Sequence, residues 1–539
     1  MNTYFAITIG PIYKTLAQAQ RTREFWGSSY LFSWIMREII LGMIAEKTIT
    51  EEEILMPYRT KHKNEQVGTG LYHDRMIAQI SPNKKDDVLK EFRTITDNVL
   101  GKIATTTKID LPVLQSYFRL NAVLFDLEDG GNIVETVTNY LDSLELQNPI
   151  FHEAWKIDLQ VLIYKLNNAL FYGDASINKF FPSIPEIATR GLVHLKPVEY
   201  HEYVRKDIIE ALQDNKQLKK KIENDAQDNF IKHLSGDPIF KDAFRNYHKY
   251  IAIVHADGDN LGETIRKIGK NAEEVKKLSK TLFSFASKAV GVIGGYGGTN
   301  VYAGGDDLLF FAPVANANQT IFDLINNLDE LFKKEVSQNP EITAILAEPK
   351  PTLSWGVSIS YYKFPLSEAI VSSRNLLFDD AKCYRGKNAV AFKLIKHTGQ
   401  FFGATFGKDK ADYKEHFKKM LEKAFEPDAE FISSLQYRIS GNETLLRAIF
   451  NDTDYRKKVE NFFDNFFDEE IHSNKKDFVH SVRDMLTQAF TDSKLLEKAL
   501  DAMTENEKEE SHNNSVKTAI DKTYSALRFI HFLNSKSDE

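Results

Sequence analysis

Cysteine is nearly absent from this chain. One thiol, Cys383, in 539 residues excludes an internal disulfide and any zinc ribbon built from cysteine pairs, and it fits a reducing cytosol. An excess of basic residues is missing too: 69 Lys and Arg stand against 76 Asp and Glu, for a net charge of −7. Nucleic-acid contact, if made, therefore falls to local patches or to other subunits. No apolar run reaches the roughly 18 residues that span a bilayer, and the N-terminus lacks the layout of a signal peptide. The expectation is a cytoplasmic protein with no membrane contact.

What is present is an ordinary globular composition, 42% hydrophobic and 27% charged, in a chain long enough for about three to four domains. Its chemistry gathers in one stretch, where Gly304, Gly305, Asp306 and Asp307 interrupt two short apolar runs over residues 299–311. This reads as two buried strands joined by a tight turn, because glycine reaches backbone angles that cost other residues energy. Adjacent carboxylates at such a tip repel one another unless a cation sits there, and oxygen-only ligands suit Mg²⁺ or Mn²⁺. Taken alone, the motif is better read as a surface Gly-Asp turn, because short Gly/Asp strings recur by chance.

A second acidic turn lies about fifty residues upstream. An apolar strand over 249–255 runs into Asp257, Gly258, Asp259 and Asn260, and a helical pattern follows over 263–268. A strand ending in Asp, then a glycine turn that opens a helix, sets a carboxylate beside free backbone N–H groups that suit phosphate. An Asp or Asn helix cap explains this turn equally well by itself. The two turns together suggest the two-metal arrangement used for phosphoryl or nucleotidyl transfer.

Around these turns the chain reads as α+β. Residues 4–10 form a strand broken by Gly10-Pro11, then a long helix over 12–43 is interrupted near 26–30, and strand-like pieces return at 53–56 and 71–80. Tyr4, Phe5, Ala6 and Ile7 echo Tyr250, Ile251, Ala252 and Ile253, which suggests a duplicated palm. The first copy has Gly10-Pro11 where the second has its carboxylates. His73-Asp74 reads as a turn or a satisfied polar pair rather than a nuclease site. Residues 85–245 are mostly helical in pattern, with breaks at 130–131, 171–174 and 182–185. The charge run at 216–224 reads as a solvated helix face.

Later segments complete the second copy. Helices are expected over 318–336 and 366–381 and strands over 352–360 and 388–394, in an antiparallel α/β sandwich with both acidic turns at one end. Lys382, Arg385 and Lys387 cluster where helix meets strand, which places at least one lysine opposite the metals to hold triphosphate oxygens. Beyond residue 399 the pattern turns helical, with Phe stripes that read as bundle core. The acidic stretch 505–510 and the tail 535–539 read as disordered or solvated.

Four ordered signatures now stand together. They are Ile9, Gly10 and Pro11 with Arg21, Thr22, Arg23 and Trp26 to Tyr30; Asp257 to Asn260; Tyr302 to Asp307; and Ser354 to Val357 with Pro365, Leu366, Ala381, Lys382 and Gly386 to Ala389. The set resembles the large polymerase-like subunit of type III CRISPR effector complexes, in its Cmr (III-B) branch, over residues 1 to about 400. The resemblance implies two ferredoxin-like, nucleotide-cyclase-like palm domains with helical domains between and after them. The divisions are 1–90 (non-catalytic palm), 91–245 (mainly helical, without zinc cysteines), 246–400 (catalytic palm) and 401–539 (helical).

It implies further that Asp257 and Asp306 bind metal with the Gly258 carbonyl, and that Asp307 assists. Asp259 and Asn260 lie along phosphate or sugar, Lys382 and Lys387 lie near phosphates, and Gly304 and Gly305 border the nucleotide. ATP is the substrate, Mg²⁺ or Mn²⁺ the cofactor, and target RNA the activator. The partners are other Cmr-type subunits and a CRISPR guide RNA. The product is a cyclic oligoadenylate or, as in some relatives, AMP joined to S-adenosylmethionine.

The chain departs from many relatives in two ways. Its palm-like strand begins at residue 4, which leaves no room for an HD-type nuclease domain and predicts no DNase activity. A single cysteine does not build the zinc module that many relatives carry between the palms. Two other function classes compete with the leading one: a non-catalytic scaffold, and a free-standing cyclic-dinucleotide synthase with a similar Gly-Gly-acid turn.

Overall fold

The computed structural model describes residues 1–16, 18–19, 21–58, 70–146, 166, 181–193, 196, 216–425, 429–467, 475–498 and 505–536. Its organising elements are two βαββαβ units, each with an antiparallel four-stranded core. In the first, β1 (Asn2–Gly10) is followed by helices Ile12–Leu16 and Thr22–Ala45, then β2 (Ile54–Met56), β3 (Arg75–Ile80), helix Lys85–Thr107 and β4 (Arg119–Leu127). The strand order is β2-β3-β1-β4.

The second unit repeats that path. β5 (Tyr250–Asp259) leads into helices Leu261–Ile268 and Ala272–Tyr296, then β6 (Thr299–Gly304) and β7 (Asp307–Pro313). A small ladder of β8 (Ala315–Asn316) and β9 (Gln319–Thr320), helix Ile321–Phe332 and β10 (Thr352–Tyr361) complete it. The order β6-β7-β5-β10 matches β2-β3-β1-β4, and β11 (Ala389–Ile395) and β12 (Phe401–Gly407) extend the sheet beyond β10. The matching starts at Tyr4 and Tyr250 thus lie on the first strand of each unit.

Both faces of these sheets are covered, which explains their nearly continuous apolar strands. In β5, Tyr250, Ala252 and Val254 join the main core, while Ile251 and Ile253 point to a separate cluster with Phe311 and Leu366. In β1, Tyr4 and Ala6 enter the main core, and Phe5, Ile7 and Ile9 pack with helices Thr22–Ala45 and Lys85–Thr107. The period-2 alternation of a strand sends neighbouring side chains to different cores.

Several sequence expectations are corrected. The segment past residue 90, read as mainly helical, supplies β4, which pairs along the whole of β1 from Asn2↔Leu127 to Gly10↔Arg119. A division at 90 therefore cuts through the first sheet. Likewise β12 lies past residue 400 and pairs with β11. The second sheet is not purely antiparallel, since β10 and β11 run parallel. The helix break expected at 26–30 is absent: helix Thr22–Ala45 runs through Gly27, Ser28 and Ser29, all buried, and the chain breaks before Thr22 instead. Packing on both sides outweighs the weak helix propensity of Gly and Ser. Residues 505–510, expected to be disordered or solvated, begin helix Glu505–Asn534. The break expected at 171–174 lies outside the described residues.

The C-terminal helices form a Phe-rich bundle, as their stripes suggest. Its last helix docks on the second sheet: Phe529 meets Phe322 at 5.1 Å and Phe392 at 5.8 Å, near edge-on in each case.

Candidate active site

Because β5 and β7 are antiparallel neighbours paired up to Ala256↔Leu308, the end of one strand and the start of the other share a corner. Asp257 lies near the end of β5 there, paired with Ser354 of β10, and the turn Gly304 to Asp307 arrives there. Oxygens of Asp257, Asp306 and Asp307 all lie within 4.8 Å of one another, the one such group of possible metal ligands among the described residues. Asp257 and Asp306 are half-buried and Asp307 is exposed.

Two glycines make this approach possible. The N–H of Gly258 donates to Asp306 Oδ2 at 3.2 Å, and a Cβ on Gly258 would collide with that carboxylate. Gly305 has φ +73°, a left-handed conformation that side chains disfavour. Beneath the turn Tyr302 packs so closely that a Cβ on Gly304 would overlap its ring. Burial, then the charges of Asp307, Asp74 and Asp306, hold the Tyr302 phenol well above its ordinary pKa.

The electrostatics show what the corner lacks. Desolvation first, then the Asp257 charge, pushes Asp306 up to about 6. Asp307 is pushed well above the carboxylate range by desolvation, by its hydrogen bond with Asp257 and by the Asp306 charge. Among the described residues one cation faces the cluster: Lys382 pairs with Asp257 and with Asp259 at 3.0 Å, and donates to the Gly258 carbonyl at 2.5 Å. Desolvation lowers the Lys382 pKa, but the two carboxylates outweigh it and raise the net value. Three close carboxylates with one lysine leave an uncompensated negative charge, and an all-oxygen donor set fits Mg²⁺ or Mn²⁺.

Not every expected site residue faces this corner. Asp259 is fully buried, accepting from Thr352 Oγ1 at 2.8 Å, Ser354 Oγ at 2.9 Å and the Asn388 N–H at 3.0 Å. These contacts tie it to β10 and to the loop that carries Lys382. Asn260 adopts φ +62° at the start of helix Leu261–Ile268 without capping it through its side chain. Lys387, also left-handed at φ +54°, is exposed and its N–H donates to the Tyr384 carbonyl at 2.7 Å. Lys382 thus enters the corner while Lys387 stays on the outer side of the same loop.

The approach to Lys382 is set by tight packing. Helix Leu366–Asn375 continues as a π-helical turn, Leu376–Ala381, directly before the lysine. Gly356 in β10 lets this segment lie against the sheet, since a Cβ there would strike the Ser373 carbonyl. His255 adds a tie, its Nδ1 lying 2.8 Å from Ser373 Oγ.

Sequence reasoning missed the residues that the first unit brings here. A Cβ on Gly70 would lie 3.3 Å from Tyr302, and one on Gly305 would lie 2.9 Å from the His73 ring. Desolvation lowers the His73 pKa to about 4. The available signal was position: His73-Asp74 immediately precedes β3, as the Gly-Gly-Asp turn precedes β7.

Comparison with known proteins agrees with this architecture. The family model described as "Cas10/Cmr2, second palm domain" matches residues 250–391, and "CRISPR-associated protein Cmr2, N-terminal" matches residues 4–106. The chain is 28% identical over 202 residues to the CRISPR system Cmr subunit Cmr2 of Pyrococcus furiosus, covering 33% of this chain. That match spans only about a fifth, 22%, of the relative's length. Among solved structures, a chain of the type III-B Cmr-beta complex in its apo state superimposes with a TM-score of 0.51 at 12% identity, covering 86% of this chain and 77% of that one. One from the same assembly bound to cognate target RNA gives 0.53 at 12% identity, covering 86% and 78%. Two palm-like units, an acidic corner on the second among the described residues and family matches on both make the chain similar to the Cmr-type members of the Cas10/Cmr2 family.

Proposed function

We propose that the chain is a metal-dependent nucleotidyltransferase that makes an adenylate second messenger from ATP within a type III-B CRISPR effector complex in the cytoplasm. The observation that carries this reading is the meeting of Asp257, Asp306 and Asp307, with all ligand oxygens within 4.8 Å. A divalent cation held by Asp257, Asp306 and the Gly258 carbonyl would neutralise the triphosphate and acidify an attacking hydroxyl. Lys382 leaves its carboxylate partners for a phosphate oxygen, and the N-terminus of helix Leu261–Ile268 offers free N–H groups to the same phosphates. The acceptor oxygen bonds to the α-phosphorus as the bond to pyrophosphate breaks, and the hydroxyl proton passes to solvent.

The family matches support the remaining parts of the proposal: other Cmr-type subunits and a guide RNA as partners, and target RNA as activator. The first unit, with Gly10-Pro11 at the end of its first strand, serves as a non-catalytic partner of the second. The site accommodates two acceptors, a second ATP leading to cyclic oligoadenylate and S-adenosylmethionine leading to an AMP conjugate.

The test uses assembled complex, target RNA, labelled ATP and S-adenosylmethionine, read by mass spectrometry. Wild type yields an adenylate product, whereas Asp306→Ala with Asp307→Ala assembles normally and yields none. Undiminished product from the double variant would refute the proposal.

A further inference from the structure

The loop that carries Lys382 is also fastened to the C-terminal bundle. Two residues beyond the lysine, Tyr384 lays its ring on the turn that leaves β12: a Cβ on Gly407 would stand 2.6 Å from Tyr384 Cε1 and 2.9 Å from Lys410 Cγ. The backbone holds the same junction, with the Lys408 N–H donating to the Asn388 carbonyl at 2.8 Å. That turn runs into the π-helical segment Asp412–Phe417. Asp412 is fully buried and pairs with Lys522 of helix Glu505–Asn534 at 2.8 Å. A buried charge does not shift without leaving its partner uncompensated, so this pair fixes the turn against the last helix.

One group at this junction is unsatisfied. Asp492, on helix Lys476–Lys498, accepts from Gln488 Nε2 at 2.9 Å through Oδ1, while its Oδ2 is buried without a hydrogen-bond partner among the described residues. Burial raises the Asp492 pKa, and the Asp412 charge adds to the rise. The Tyr384 phenol stands in the field of both carboxylates. Burial first, then the charges of Asp412, Asp492 and Asp409, push it up to about 12. It therefore keeps its proton at neutral pH and is available as a donor. A buried acceptor left without a donor forfeits a hydrogen bond that native interiors rarely leave unmade.

We propose that Tyr384 is a positioning residue for the nucleotidyl-transfer site: when Lys382 leaves its carboxylates for a phosphate oxygen, the loop settles and the Tyr384 phenol donates to Asp492 Oδ2, holding the lysine in place from the C-terminal bundle. This rests on the nucleotidyltransferase reading and adds to it a contact from outside both palm-like units. Tyr384 touches no substrate and acts only through Lys382.

The test measures Mn²⁺-dependent binding of a non-hydrolysable ATP analogue to the full chain by calorimetry, with thermal melts run alongside. The panel comprises wild type, Tyr384→Phe, Asp492→Ala, these two combined, Lys382→Ala, and Lys382→Ala with Tyr384→Phe. Tyr384→Phe keeps the ring on Gly407 and removes only the hydroxyl. Its melt should match wild type while analogue binding weakens about two- to tenfold, the range of one lost hydrogen bond. Asp492→Ala should weaken binding by a similar factor, and the combined variant by no more than either, because both changes remove one contact. In the Lys382→Ala background Tyr384→Phe should change nothing further, a result that a merely structural tyrosine would not give. Wild-type affinity in Tyr384→Phe, or equal weakening with and without Lys382, would overturn this proposal and leave the nucleotidyltransferase reading standing. A wild-type chain that binds no analogue with Mn²⁺ would overturn both.

Discussion

Replacing Asp306 with Asn should stabilise the metal-free protein. The Asp306 pKa is raised from 3.8 to about 6 in the folded chain by desolvation and the Asp257 charge. The unfolded carboxyl loses its proton near 3.8, so between there and about 6 the folded state holds a proton that the unfolded state has released. Stability therefore falls as pH rises through that window, and the full penalty persists above it. A shift of about two units is worth roughly 3 kcal/mol, and water screening of a half-buried group reduces the recoverable part to about 1–2 kcal/mol. Asn keeps an oxygen to accept from the Gly258 N–H and removes the charge. In EDTA at pH 8 the melting temperature of Asp306→Asn should exceed wild type by roughly 1–2 °C, and near pH 4 the two should coincide. Added Mn²⁺ should raise the wild-type value and leave the variant unmoved. A variant less stable than wild type in EDTA at pH 8 would refute the picture of crowded carboxylates.

Two further predictions probe the same corner. Lys382 competes with a cation for Asp257 and the Gly258 carbonyl, so Lys382→Ala should retain Mn²⁺ affinity in calorimetry while product formation from ATP falls at least about tenfold as the phosphates lose a partner. Gly258→Ala sets a methyl group against the Asp306 carboxylate. It should cost about 1–3 kcal/mol in urea denaturation, the usual range for overpacking, and weaken Mn²⁺ binding by separating the carboxylates.

The acidic corner is legible in the sequence because each half is a short contiguous string at a strand end, and a strand buried on both faces announces itself as an apolar run. β4 is not, since it lies at the sheet edge with most of its residues partly exposed, leaving no alternation for a pattern to catch. The role of Asp259 was hidden for another reason. The hydroxyls of Thr352 and Ser354 that enclose it lie more than ninety residues further on, and only the pairing of β5 with β10 brings them together. His73 shows the same limit across units: nothing near it in sequence indicates that its ring rests on the Gly305 turn. Lys382 was recoverable because the loop between helix and strand concentrates three basic residues, yet only the fold separates the inward lysine from the exposed Lys387.

The most direct test of the central claim is a Mn²⁺ titration of the full chain followed by electron paramagnetic resonance at pH 8. Wild type should bind the ion, Asp257→Asn and Asp306→Asn should each lose most of that affinity, and the wild-type signal of free Mn²⁺ should return as pH falls below about 6, where Asp306 takes up its proton. Equal Mn²⁺ binding by wild type and both variants would contradict the assignment of this corner as the metal site.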